Sequence, residues 1–205
     1  MRAADLLALA LAEPAESPAR ALFVTAAVSV AAGARYMLVG GSAVNVYTGA
    51  YRPTDLDLVG PLGPVLERAA SSLGFARRGR YLVLESAGQE IVLDLPDDSL
   101  FDLAADPPEE VEVAAGVTAA VLSATDLMMD RTLQATDGTV VTMEEALTLA
   151  VGAYPRIDWA ALERRAQAAS SRGSQAYAAL PVTLRRIRSL ARRALRAAGD
   201  SRLPA

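Results

Sequence analysis

Asp55 and Asp57 stand two residues apart in the run TDLDLV. Side chains alternate along a strand, so residues two apart share a face. The two carboxylates are therefore expected side by side, with Leu56 and Leu58 pointing into a core. Neighbouring carboxylates repel each other unless a cation lies between them, and a divalent metal is the simplest account of the pair, an exposed sheet face being the plainer alternative. Asp94 is a third candidate, set in the apolar run IVLDLP. It can serve as a general base, as a ligand to a second metal, or merely as a strand-end residue shaping the turn before Pro96.

About a dozen residues before Asp55, the strand-like YMLV breaks at Gly40-Gly41 and runs through Ser42 into a short helix. A helix N-terminus offers unpaired backbone amides, which attract phosphate, although glycine pairs also make ordinary turns. If turn and aspartates converge, the turn holds phosphates and the aspartates hold the cation that bridges them.

Composition narrows the chemistry. Of the 205 residues none is histidine or cysteine, which excludes serine–histidine triads, thiol catalysis, disulfides and the usual zinc centres. A metal must then be bound by oxygen, which favours Mg2+ or Mn2+. Every basic residue is an arginine, so any cationic role falls to that permanently charged side chain. A hydrophobic fraction of 52% is ample for a core, and a net charge of −4 excludes a uniformly basic coat but not a local basic patch. The opening RAADLLALALAEPAE has the look of a signal peptide but is interrupted by Asp5, and Ala21–Ala32 is too short to span a bilayer. The reading is a soluble, cytoplasmic protein without membrane contact.

Elements that would position these residues follow from local signals. Ala3–Ala12 reads as a helix, and a second runs from Ser17-Pro18 to Gly33. Arg35–Leu38 reads as a strand and Pro64–Leu73 as a helix. YLVLES and EIVLDLP form a hairpin about Ala87-Gly88, its second strand beside that of Asp55 and Asp57. Pro96–Pro108, with Asp97, Asp98, Asp102 and Asp106, is expected to be a surface loop. VEVAAGVTAAVL is expected as a second hairpin, or a strand pair bulged at Gly116. Helices are expected near 124–135, 142–153, 158–171 and 182–198, with start boxes at Ser123/Asp126 and Thr142/Glu145. The class is α+β: a small mixed β-sheet flanked by helices over 1–122, then a helical region over 123–205 packed on that core.

With GGS, a short helix, the D-x-D strand and a later strand aspartate, the chain resembles the nucleotidyltransferase superfamily related to DNA polymerase β. Within it the chain resembles minimal prokaryotic members that open with a VGG turn, a YT pair and a DLDLV-like strand. Those pieces are Val39–Gly41, Tyr47-Thr48 and Asp55–Val59. It is similar, more distantly, to abortive-infection and type IV toxin nucleotidyltransferases. LGFARRGR, DLPDDSL and VLSATDLMMDR extend the match to about Arg131. The resemblance implies a nucleotidyltransferase fold and phosphate binding by Gly40, Gly41 and Ser42. It implies metal binding and catalysis by Asp55, Asp57 and Asp94. Arg52, Arg80 and Arg131 are further candidates for phosphate contact, with solvated charge, or a salt bridge from Arg131 to Asp130, as the plainer alternative.

The function so implied is Mg2+- or Mn2+-dependent transfer of a nucleoside monophosphate from a nucleoside triphosphate to a hydroxyl of RNA, a protein or a small molecule. A toxin–antitoxin or phage-defence setting comes from the toxin relatives. The alternative is a catalytically inactive nucleotidyltransferase fold used for binding or regulation. Two features stand apart. LRRIRSLARRALRAAG places arginines at helical spacing, giving a basic face for RNA or DNA backbone, for the chain's own acidic loop, or simply for solvent. The alanine-rich N-terminal helices need cover, from this chain or from a second copy in a homodimer.

Overall fold

The computed structural model describes residues 1–86, 88–96 and 103–200. It divides into two units, Met1–Leu100 with Pro107–Leu122, and Phe101–Asp106 with Ser123–Ala205.

In the first unit, α1 (Ala3–Ala12) and α2 (Pro18–Ala32) are followed by β1 (Met37–Leu38), α3 (Gly40–Thr48), β2 (Leu56–Val59) and α4 (Pro64–Ser72). Then come β3 (Ala76–Arg78), β4 (Tyr81–Ser86), β5 (Gln89–Asp94), β6 (Glu109–Ala114) and β7 (Val117–Val121). The strands form one mixed seven-stranded sheet in the order β3-β4-β5-β2-β1-β7-β6. Its centre is apolar because strands covered by helices must bury their side chains. Leu38, Leu58, Leu93 and Val121 are all fully buried. Helix α2 is apolar nearly all round because it packs on β1, β6 and β7 as well as on α1, α3 and α4. Leu6 and Ala10 of α1 are fully buried, while Leu9 of α1 and Val30 of α2 stay exposed.

Two registers matter for the site. β2 runs parallel to β5, with Leu56 beside Leu93 and Asp57 beside Asp94. β1 runs antiparallel to β2, with Leu38 opposite Leu58, and the Val39 N–H donates to the Asp57 carbonyl at 2.9 Å. The end of β1 therefore lies beside Asp57.

The second unit contains α5 (Ala124–Gln134), α6 (Val140–Gly152), α7 (Trp159–Ala169) and α8 (Gln175–Ala197). Ser123 caps α5 as its spacing suggests, its Oγ accepting from the Asp126 N–H at 3.0 Å. Asp126, fully buried, holds the preceding segment: its carboxylate accepts from the backbone N–H of Ala105 and Asp106 and from Arg165. Among the described residues, no helix is long and apolar enough to cross a membrane.

Three local expectations are corrected. The cap of α6 is Thr139, whose Oγ1 accepts from Thr142 N–H, so Thr142 lies inside the helix. The β6–β7 irregularity falls between Glu112 and Ala114, while Gly116 sits in the turn. α8 begins at Gln175 rather than 182: Ser174 caps it and it continues through Pro181. Proline removes one helical hydrogen bond, but burial of Leu180 and Leu184 on either side keeps the helix continuous. The expected loop residues Asp97, Asp98 and Asp102 lie outside the described residues.

Candidate active site

Asp55, Asp57 and Asp94 each offer a carboxylate oxygen, and these three atoms lie within 4.8 Å of one another. Strand geometry accounts for the convergence. Asp57 and Asp94 are register partners on neighbouring parallel strands, so their side chains leave the same face of the sheet. Asp55, two residues earlier on the same strand line, adds a third carboxylate to that face. Leu56 and Leu93, the adjacent register pair, point to the opposite side and are buried at 8% and 0% exposure. Asp55 and Asp57 are half-buried and Asp94 is buried.

Gly40 and Gly41 are present for want of space. Gly40 has φ +61°, and a Cβ built there would lie 1.9 Å from Asp57 Oδ2. A side chain at this position would therefore fall where the Asp57 carboxylate sits. A Cβ at Gly41 would lie 2.5 Å from Tyr51 Cε1. The first turn of α3 approaches Asp57 closely because Gly40 lacks a side chain, and it packs on Tyr51 because Gly41 does.

That turn also starts the helix without a side-chain cap. The α3 N-cap is Val39, which has no side chain able to cap. The first helical bond runs from Ala43 N–H to the Val39 carbonyl at 3.2 Å, so the amides of Gly40, Gly41 and Ser42 have no acceptor within the helix. Beside the carboxylate cluster, a helix start of this kind suits an anion that also carries a cation. Ser42 takes a different place from the one its position suggests. It is fully buried, and its hydroxyl donates to the Asp55 carbonyl at 2.8 Å, tying α3 to the approach of β2.

Arg80 stands at the open side of the cluster. Its guanidinium pairs with Asp94 Oδ2 at 2.5 Å and lies 4.8 Å from the centre of the Tyr81 ring, while its side chain is 68% exposed. Interaction with Tyr81, then the charges of Asp94 and Asp55, hold its pKa above the ordinary arginine range. Arg52 is exposed on the loop before β2. Arg131 belongs to the second unit and is buried, its guanidinium held by Asp130 at 2.7 Å and Glu145 at 3.0 Å. The plainer alternative, a salt bridge to Asp130, describes its place in that unit.

Sequence reasoning missed Arg20. It is 3% exposed and donates to the Gln89 side chain and to the Glu90 carbonyl at 3.0 Å, linking α2 to β5. Burial lowers its pKa. With Ser17, Asn45, Thr54 and Asp55 it lines a cavity of ≈ 90 Å3, room for a few waters but not for a nucleoside. The available signal was a lone arginine in an otherwise apolar helix.

The donor set fits a hard divalent cation: three carboxylates from two neighbouring strands, with no nitrogen or sulfur ligand among them.

No protein-family model matches the chain, and no curated protein matches it. Among solved structures, it is similar to an antigenic nucleotidyltransferase-like protein from Paracoccidioides brasiliensis. That match has a TM-score of 0.54 at 15% identity and covers 84% of this chain and 89% of the other. The antibiotic-resistance factor ANT(2'')-Ia matches over 93% of this chain and 95% of its own, at 14% identity. Its TM-score of 0.42 is too low to bear on the fold. The mixed sheet, its flanking helices and the helical C-terminal region thus form a nucleotidyltransferase-like fold.

Proposed function

We propose that this protein is a metal-dependent nucleotidyltransferase that moves a nucleoside monophosphate from a nucleoside triphosphate to a hydroxyl acceptor. The observation that carries this reading is the meeting of Asp55, Asp57 and Asp94 within 4.8 Å, beside an α3 start that Gly40 brings close to Asp57. In the reaction the acceptor oxygen bonds to the α-phosphorus, the bond from that phosphorus to the oxygen bridging to the β-phosphate breaks, and pyrophosphate leaves. Magnesium or manganese held by the three aspartates would supply charge neutralisation on the transferring phosphoryl group. Asp94 takes the proton of the attacking hydroxyl, and the α3 start at Gly40 and Gly41, which Ser42 ties to Asp55, receives the β- and γ-phosphates. The Ser42 hydroxyl works through its grip on the Asp55 carbonyl rather than on a phosphate. Arg80 leaves Asp94 for the triphosphate, which its exposure permits; Arg52 is a second cation within the same unit.

The acceptor classes are RNA, a protein side chain or a small molecule, and a toxin or phage-defence role is a finer reading drawn from the toxin relatives. The test is incubation with α-labelled nucleoside triphosphates, Mg2+ and a cell extract. Label should appear on an acceptor and should vanish with Asp57→Ala. Persistent labelling by that variant sinks the mechanism. One observation favours a second reading, a catalytically silent nucleotide-binding module: Arg80 already neutralises part of the cluster through Asp94. Nucleotide binding without any label transfer is the outcome that selects it.

A further inference from the structure

Helix α8 carries Arg185, Arg186, Arg188, Arg192, Arg193 and Arg196 and no acidic residue, in a chain whose net charge is −4. At 3.6 residues per turn, Arg185, Ser189, Arg192 and Arg196 fall in one stripe about 60° wide, with Arg186 and Arg193 flanking it. The opposite side is spent on packing: Leu180, Leu184, Ile187, Ala191 and Leu195 are each 1% exposed or less. Arg188 is held on one edge by Glu163 and lies 5.5 Å from the Trp159 ring centre. Arg185, Arg186, Arg192, Arg193 and Arg196 are exposed and make no ion pair with any described residue. Arg185, Arg192 and Arg196 line a groove closed on its other side by Glu163. Like charges three and four residues apart on one helix repel, so the stripe opposes helix stability unless a counter-charge meets it.

We propose that this stripe binds the phosphate backbone of a nucleic acid without regard to base sequence. Arg185 and Arg196 are eleven residues apart, about 16 Å along the helix, a length over which one strand of a duplex presents four or five phosphates. The guanidinium fork matches phosphate oxygens. A membrane surface is the poorer occupant because the apolar side of α8 is buried and has nothing to insert. Ser189 is the sole uncharged polar residue within the stripe, leaving little with which to read bases. The proposal stands apart from nucleotidyl transfer and is tested without it.

The experiment is fluorescence anisotropy of a labelled RNA hairpin and a labelled DNA duplex of matched length, in EDTA and without nucleotide. Both should bind, with log K falling against log salt at a slope of about −3 to −4, as for four phosphate contacts. The triple variant Arg185→Ala, Arg192→Ala, Arg196→Ala should bind at least about 10-fold more weakly at low salt, with the slope shallower by about 2 to 3. Alanine is the best helix former, so unchanged helicity by circular dichroism separates lost contacts from lost structure. Lysine at the same three positions should keep most of the slope. No binding, undiminished binding by the alanine variant, or tighter binding to phosphatidylserine vesicles or polyglutamate overturns the proposal.

Discussion

Gly40 decides how near α3 comes to the metal-binding face, and it does so by what it lacks. Its φ of +61° and the 1.9 Å approach of a built Cβ to Asp57 Oδ2 make alanine doubly unfavourable there. Gly40→Ala should lower stability by about 1–3 kcal/mol from backbone strain alone. It should also weaken Mn2+ binding at least several-fold by displacing Asp57; urea unfolding and a Mn2+ titration read the two effects separately. Arg80 makes the opposite prediction. Its cation competes with a metal for Asp94. Arg80→Ala should therefore tighten Mn2+ binding in the absence of nucleotide while weakening nucleotide binding, both by calorimetry. Unchanged metal affinity would mean that the ion pair does not guard the site.

Among the elements, the start of α5 joins two kinds of restraint. Ser123 supplies a cap, and Asp126, the third residue of the helix, reaches back to the amides of Ala105 and Asp106 and across to Arg165. Ser123→Ala should cost about 1 kcal/mol, the usual value of a cap. Asp126→Ala should cost more, about 2–4 kcal/mol, because it leaves the amides of Ala105 and Asp106 without their buried acceptor and Arg165 with only the longer pairing to Asp106 at 3.7 Å. Thermal unfolding of both variants checks the ratio. Equal losses would mean that Asp126 acts only as part of the cap. The β2–β5 pair shows the same dependence of chemistry on packing: the carboxylates of Asp57 and Asp94 are neighbours because Leu56 and Leu93 are neighbours in the core.

For the whole molecule, composition controls the response to pH. With no histidine and no cysteine, the chain has no side chain whose ordinary pKa lies between about 5 and 8. The urea midpoint should be flat from about pH 6 to 8. Acidification should lower it. Asp5 is held below the ordinary carboxylate range chiefly by its hydrogen bond from Arg2, and Asp137 chiefly by the Thr139 N–H. A depressed carboxylate stabilises the fold above its ordinary pKa of about 4, and that contribution is lost as pH falls through the lowered value. A step in stability near pH 7 would contradict this.

Much of the first unit was legible because its signals are local. Alternation in TDLDLV put Asp55 and Asp57 on one face, a proline at 18 opened α2, and the gap between YLVLES and EIVLDLP marked a hairpin. The absence of histidine and cysteine from the whole composition left oxygen as the donor. Tertiary structure decided the rest. No local pattern states that β5 lies parallel to β2 in the register that pairs Asp94 with Asp57, since strand pairing is set by contacts between distant segments. Nor could spacing show that Ser42 spends its hydroxyl on Asp55, that Arg80 faces Asp94, or that Arg131 pairs with Glu145 as well as with its neighbour Asp130. A side chain's type says what bonds it can form, and only its neighbours in space determine which of them it makes.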